Sequence, residues 1–285
     1  MNILVLGASG MAGHVIAQYL TEQGHHITAL AGHKKVSEDT IILDLLDKNA
    51  LDKFLDNHTY DVVVNAVGVL IKQSESRKDL ASYLNGFLPH YLEQRFAESQ
   101  TKLVHLSTDC VFSGAHGPYE EASTYDGETF YDRSKALGEV INGKDLTFRM
   151  SIIGPDINEK GEGLFNWFEH QSGTIFGFPN AIWNGITTIE LAKAIAAGIN
   201  QNLTGLYHLV PQQETISKLD LLRLFKQVFT RSDVTIEPKE AAVSSNKTLI
   251  NTRTDFDYVV PDYQAMITEM KTWITKHSEL YPHYQ

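Results

Sequence analysis

The chain has 285 residues, 42% of them hydrophobic and 21% charged, enough for a large buried core in one or two domains. Its net charge of −11, from 24 basic and 35 acidic residues, disfavours nucleic acid or an anionic membrane surface as a partner. Cys110 is the only cysteine, which excludes an intrachain disulfide. No apolar run approaches the ~18 residues of a membrane span, and the opening Met1-Asn-Ile-Leu-Val-Leu lacks the basic start of a secretion signal. The expected compartment is the cytoplasm.

Taken in chain order, residues 3–6, 27–30, 41–43, 62–65, 103–107 and 146–150 are short β-rich, largely apolar runs that read as buried strands. Runs of this length suit strands of a parallel sheet covered on both faces. Helical spacing separates them. Ala12, Val15, Ile16, Tyr19 and Leu20 form one stripe, and Leu80, Tyr83, Leu84, Phe87, Leu88 and Tyr91 another, made uneven by Pro89. Strand–helix alternation predicts an α/β fold, a Rossmann-like doubly wound parallel sheet.

Beyond residue 151 the texture changes. Residues 154–185 are rich in Gly, Asn and aromatics, with little regular periodicity. Residues 189–199 then predict a helix and 206–210 a strand. Ser217, with Asp220 three residues on, caps a helix carrying Leu221, Leu224, Phe225 and Val228 on one face. A last helix is expected at 263–274. The expected division is a dinucleotide-binding domain over 1–153, to which about 182–210 return, and a smaller, interleaved C-terminal substrate domain from 154–181 and 211–285.

Gly7-Ala-Ser-Gly10-Met-Ala-Gly13 follows the first strand and opens a helix. Glycines there permit a tight turn and let backbone N–H groups reach a pyrophosphate, which the helix dipole also favours. A carboxylate about 20 residues on would hold the ribose 2′-hydroxyl of NAD. The chain instead reads Ala31-Gly32-His33-Lys34-Lys35, cations that suit a 2′-phosphate, so NADPH is the expected cofactor, with NADH the alternative. A solvated loop is the plain alternative for the lysines. Asp44 follows the third strand, and Asn65-Ala66-Val67-Gly68 ends the fourth at the sheet edge where ligands sit.

Tyr131 and Lys135 are four apart and share a helix face. A free phenol has a pKa near ~10, and a nearby ammonium would lower it toward useful acid–base chemistry. Ser107 and Thr108 end the fifth strand, where a hydroxyl can steady a developing alkoxide.

These segments resemble the extended short-chain dehydrogenases/reductases, and within them the dTDP-4-dehydrorhamnose reductase family, over essentially the whole chain. The resemblance rests on residues 7–13, 65–68, Leu106-Ser-Thr-Asp-Cys-Val-Phe-Ser-Gly114, Tyr131-Asp-Arg-Ser-Lys-Ala-Leu-Gly-Glu139, Arg149-Met-Ser-Ile-Ile-Gly154 and residues 182–192. It implies Tyr131 as proton donor, Lys135 as its tuner and ribose ligand, Thr108 at the reacting carbonyl with Ser107 beside it, and Asn85 as support for a proton relay. The implied cofactor contacts are Gly7, Ser9, Gly10, Met11, Gly13, His33, Lys34, Asp44, Leu45, Asn65, Ala66, Val67, Ser107, Tyr131 and Lys135. Val69, Thr108, Asp109 and Trp183 are the implied substrate contacts.

The implied reaction is NAD(P)H-dependent reduction of the 4-keto group of a nucleotide-linked 6-deoxyhexose, feeding surface polysaccharide. Related dehydratases carry Thr-Asp-Glu at the strand end; Thr108-Asp109-Cys110 here argues against dehydration. An epimerase, a reductase of another keto sugar, and a non-catalytic regulatory subunit like that of methionine adenosyltransferase remain as alternatives. A homodimer is compatible with this family.

Cys110 reads as a small buried side chain, the twelve histidines lack metal-ligand spacing, and Glu120-Glu121 reads as a solvated loop. Arg149 could meet a substrate phosphate or a structural carboxylate. Trp183 could stack on the ligand or anchor its loop.

Overall fold

The computed structural model describes residues 1–212, 214–242 and 245–284. Its centre is a seven-stranded parallel sheet, with β1 (Asn2–Leu6), β2 (His26–Ala31), β3 (Ile41–Ile42), β4 (Val62–Asn65), β5 (Lys102–Thr108), β6 (Leu146–Met150) and β7 (Gly205–His208) in the order β7-β6-β5-β4-β1-β2-β3. Strands 62–65 and 146–150 coincide with the sequence expectation; the others differ by one or two residues at their ends. Successive β1 side chains alternate between two cores: Ile3 and Val5 join one, Leu4 and Leu6 the other. Apolar residues at every position are what burial on both faces requires. The strand order reverses between β1 and β4, so the crevice for a ligand opens there, at the carboxyl ends.

Helix α1 (Gly13–Glu22) packs on one face of the sheet beside α5 (Thr188–Asn200). Helix α2 (Lys48–Asp56) lies on the other, with α3, residues 78–96. The unevenness expected in α3 has a definite form. Lys78–Ala81 and Leu88–Phe96 are α-helical, and the turn between them, Ser82–Phe87, is π-helical. Pro89 has no N–H to give the Asn85 carbonyl four residues back, which loosens the winding there. Helix α4 (Phe130–Leu137) crosses α3 closely: a Cβ on Gly138 would lie 1.8 Å from Asn85 O.

The region 154–185, expected to be irregular, contains a short helix, Leu164–Glu169, and strands Gly173–Gly177 and Ala181–Trp183. Six helical residues are too few to show a period. Their order comes from packing: Phe165 and Phe168 are buried against Phe225 of α6 (Lys218–Phe229). Gly173–Gly177 pairs in parallel with Val234–Pro238. Helix α6 is capped by Ser217, as read from the sequence, and α7 (Tyr263–Lys276) packs beside it. One apolar cluster runs from Ile3 and Leu146 through Ile195 and Phe225 to Met270 and Trp273, so late segments share the core of the first sheet. No described helix is long and apolar enough to cross a membrane.

Strand β7 is a sheet edge. Its Gly205 N–H and the Leu209 N–H bond back toward β6, leaving residues 206 and 208 pointing outward. Glu121 Oε1 accepts from the His208 N–H at 2.9 Å, and Arg253 Nη1 reaches Leu206 O at 3.5 Å. Glu121 also accepts from Thr252 N and Oγ1. The reading of Glu121 as a solvated loop residue is therefore corrected: it ties two segments 131 residues apart.

Candidate active site

The glycine loop leaves β1 with Gly7 at a positive φ of 79°. A Cβ on Gly7 would lie 2.9 Å from Ala66 O, and one on Gly13 would lie 2.1 Å from Gly7 O. No side chain fits at Gly13 without moving the turn, so α1 starts as close to β1 as backbone allows. Gly10 N–H closes the turn onto Gly7 O at 2.9 Å. Among the described residues the Ser9 and Met11 N–H groups make no hydrogen bond. Asn65, ending β4, is fully buried and accepts from Val67 N, which fixes the neighbouring Ala66–Val67 turn.

Residues 32–37, directly after β2, include no carboxylate. Lys34 Nζ donates to Ile157 O at 3.2 Å and Lys35 Nζ to Glu38 O at 2.9 Å. Both lysines are exposed; Lys34 straps the His33–Lys34 loop to the segment after residue 154. Asp44 is exposed and accepts from Leu46 N, while Leu45 is buried in the second core.

Helix α4 begins at a reciprocal cap: Thr129 Oγ1 accepts from Asp132 N, and Asp132 Oδ2 from Thr129 N. That start places Tyr131 in the first turn and Lys135 one turn on. Lys135 is buried and its Nζ donates to Leu106 O at 2.7 Å. Burial pushes its ammonium down to about 8, against the pull of Glu139. Burial also pushes the Tyr131 phenol upward; the Cys110 and Asp109 neighbours add to this, and the Thr108 hydroxyl opposes it. The net direction is upward because burial outweighs the groups that favour the phenolate. The Leu106 carbonyl holds the ammonium, and the largest influences on the phenol are burial, Cys110, Thr108 and Asp109.

Asn85, in the π turn, is fully buried. Its Oδ1 accepts from Val69 N at 2.8 Å, and its Nδ2 donates to Val69 O at 3.1 Å and Ser134 Oγ at 3.0 Å. The side chain clamps the loop after β4 to α4. Ser107 is turned away from Thr108: its Oγ donates to Glu139 Oε1 at 2.5 Å. Arg149 meets that same Glu139, with Nε to Oε1 at 2.7 Å and Nη2 to Oε2 at 2.5 Å. Its partner is structural. Tyr125 Oη donates to Glu139 Oε2 and His208 stands against Arg149 Nη1.

A cavity of about 320 Å³ adjoins the strand end, lined by Asp109, Ser151, Leu164, Trp183, Lys218 and Lys247. Asp109 is buried, which raises its carboxyl, and the charges of Lys247 and Lys218 act the other way. Among the described residues neither lysine makes an ion pair or hydrogen bond. Trp183 lines the cavity and packs against Tyr263, with ring centroids 5.9 Å apart. Lys218 and Lys247 were not legible as site residues. One signal was present, since Lys218 directly follows the Ser217 cap, where the helix dipole repels a cation.

Residues 1–153 match the RmlD substrate binding domain family. The chain belongs to that family. Among relatives, a dTDP-4-dehydrorhamnose reductase of Streptomyces griseus is 37% identical over 48% of this chain and 43% of its own length. The chain spans about half the length of the first curated relatives it matches. A dTDP-4-dehydrorhamnose reductase of Salmonella typhimurium is 27% identical across 96% of the chain and all of its own length. The fold is that of the Bacillus anthracis dTDP-4-dehydrorhamnose reductase solved with NADP, with a TM-score of 0.80 at 17% identity, covering 95% of this chain and 99% of that one. In this RmlD-family chain the matched region ends just beyond β6, so Lys218 and Lys247 fall outside it.

Proposed function

We propose that the protein is an NADPH-dependent reductase of a sugar-nucleotide ketone, of the dTDP-4-keto-6-deoxyhexose class. The observation that carries this reading is the grouping of Thr108 with Tyr131 and the buried Lys135 at the end of β5, on the same carboxyl edge of the sheet as a glycine turn with no room for a side chain. The named activity of the relatives supports it. The turn fits a dinucleotide: the Gly7–Gly13 approach leaves a backbone-lined cradle, with the Ser9 and Met11 N–H groups free to donate. His33 and Lys34 would meet a 2′-phosphate, Asp44 and Leu45 would line the adenine, and Asn65, Ala66 and Val67 would contact the rest of the dinucleotide. A reduced nicotinamide bound there supplies a hydride.

The chain's own residues do the rest. Thr108 Oγ1 donates to the carbonyl oxygen. Tyr131 Oη gives its proton to that oxygen as it becomes an alkoxide. Lys135 would keep a positive charge one turn behind the phenol and bind the ribose of the dinucleotide. Lys218 and Lys247 offer two unpaired ammonium groups to a diphosphate, and Trp183 an aromatic wall to the sugar. Asn85 holds α4 in register with Val69.

The test is purified protein with dTDP-4-keto-6-deoxy-L-lyxo-hexose and either NADPH or NADH. Nicotinamide oxidation with a dTDP-6-deoxyhexose product is the expected result. Dinucleotide binding without oxidation refutes the substrate, and redox-neutral turnover marks an epimerase.

Gly13→Ala forces the turn apart and weakens dinucleotide binding by about tenfold or more, equivalent to ~1.4 kcal/mol, read by fluorescence titration. Lys218→Ala together with Lys247→Ala raises KM for the sugar nucleotide by roughly tenfold with a smaller change in kcat, as loss of ground-state binding does. The difference from wild type should narrow as salt screens the lysines.

A further inference from the structure

The glycine turn has a support that the reaction itself does not call for. His14, in the first turn of α1, is 1% exposed. Its Nδ1 lies 2.8 Å from Gly10 O, inside the turn, and its Nε2 lies 2.8 Å from Tyr281 Oη. Tyr281 Oη in turn lies 3.0 Å from Trp273 Nε1. The two ends of this chain of bonds set its direction. A carbonyl only accepts, so His14 Nδ1 carries the proton. An indole N–H only donates, so Tyr281 accepts from Trp273 and gives its own proton to His14 Nε2. Each of the three bonds then has one donor and one acceptor, and only the neutral Nδ1–H imidazole satisfies all three. Burial agrees, holding the imidazole down to about 4.

Gly10 O already accepts from the His14 backbone N–H at 3.1 Å. The imidazole therefore pins that carbonyl a second time. Gly10 and Met11 are the residues between the closed Gly7 turn and the helix start, so their orientation follows where Gly10 O is held. The other end of the pin is 267 residues away, in the segment after α7.

We infer that His14 is a positioning residue for dinucleotide binding, and that Tyr281 and Trp273 hold it by fixing its tautomer, so that the segment around Tyr281 sets how well the glycine turn grips a pyrophosphate. The inference rests on the dinucleotide reading of that turn. His14 acts through Gly10 and not by touching the cofactor.

Tyr281→Phe is the decisive variant, because it removes one hydroxyl and keeps the buried ring. His14→Asn is its companion: an Asn Nδ2 stands where His Nδ1 does and can still donate to Gly10 O, whereas His14→Ala cannot. Binding of NADPH and of adenosine 2′-phosphate, which has no pyrophosphate, is titrated for each protein, and thermal melting is recorded alongside. Tyr281→Phe and His14→Ala are expected to weaken NADPH by about three- to tenfold, the scale of one hydrogen bond. Adenosine 2′-phosphate should bind them as it binds wild type, and His14→Asn should recover most of the NADPH affinity. If both ligands weaken together with a fall in melting temperature and His14→Asn gives no rescue, the role is merely structural and the inference is wrong. Unchanged NADPH affinity in Tyr281→Phe and His14→Ala overturns it as well. Wild-type protein that binds no dinucleotide removes the reading of the turn itself, and the inference with it.

Discussion

Tyr131→Phe lowers kcat by about 10²- to 10⁴-fold and leaves NADPH affinity within about twofold, since one hydroxyl outside the glycine turn contributes at most a hydrogen bond to it. The state of the phenol decides the size of the loss. Burial pushes Tyr131 above its ordinary range, so at neutral pH it carries its proton. Reduction needs that form. An alkoxide is a far stronger base than a phenolate, so the proton moves downhill once negative charge reaches the carbonyl oxygen, and a phenol too weak to lose its proton beforehand is not a handicap. Thr108, which acts on the phenol in the direction of its anion, steadies what remains after transfer. Phenylalanine keeps the ring and removes the phenolic proton from the first turn of α4. Steady-state kinetics with a parallel binding titration separate the two effects. Wild-type turnover in the Tyr131→Phe variant would remove Tyr131 from the mechanism.

Glu139→Ala destabilises the fold by roughly 3–5 kcal/mol, the cost of leaving a buried charge without its partner. The side chains of Arg149 and Glu139 are 0% and 1% exposed. Removing the carboxylate strands the guanidinium against Phe112 and Tyr125 and deprives Ser107 Oγ and Tyr125 Oη of their acceptor. Arg149→Met alone should cost a similar amount for the mirrored reason. The double variant Glu139→Leu/Arg149→Met should recover much of the loss, because two apolar side chains need no partners. Urea unfolding of Glu139→Leu, Arg149→Met and the double variant closes the cycle. Additive losses would show that the pair does not act as a unit.

The sheet was legible because its strands are short β-rich runs between helical segments, and burial on both faces selects for runs such as Ile3-Leu-Val-Leu6 and Val62-Val-Val-Asn65. The glycine turn and the Tyr131/Lys135 pair were legible because each is complete within a few consecutive residues. What escaped was whatever crossovers bring together. Lys135 faces Leu106 O, 29 residues back, and Arg149 finds Glu139 and His208, a carboxylate and an imidazole that no periodicity links. Lys218 and Lys247 meet Asp109 only because β5, α6 and the segment after residue 245 converge on one cavity. The Leu164–Glu169 helix escaped for a different reason: aromatic packing orders it, and local propensity does not.

The closing of β7 by Glu121 and Arg253 bears on how the protein behaves when crowded. An open parallel edge is a template on which a strand from a neighbouring molecule can add, and repeated addition is the route to fibrils. Here the outward amide of His208 is already occupied by a carboxylate, and the outward carbonyl of Leu206 faces a guanidinium. The opposite edge, β3, is only two residues long. A sheet with one rim sealed by charged side chains and the other too short to copy has no direction in which to grow.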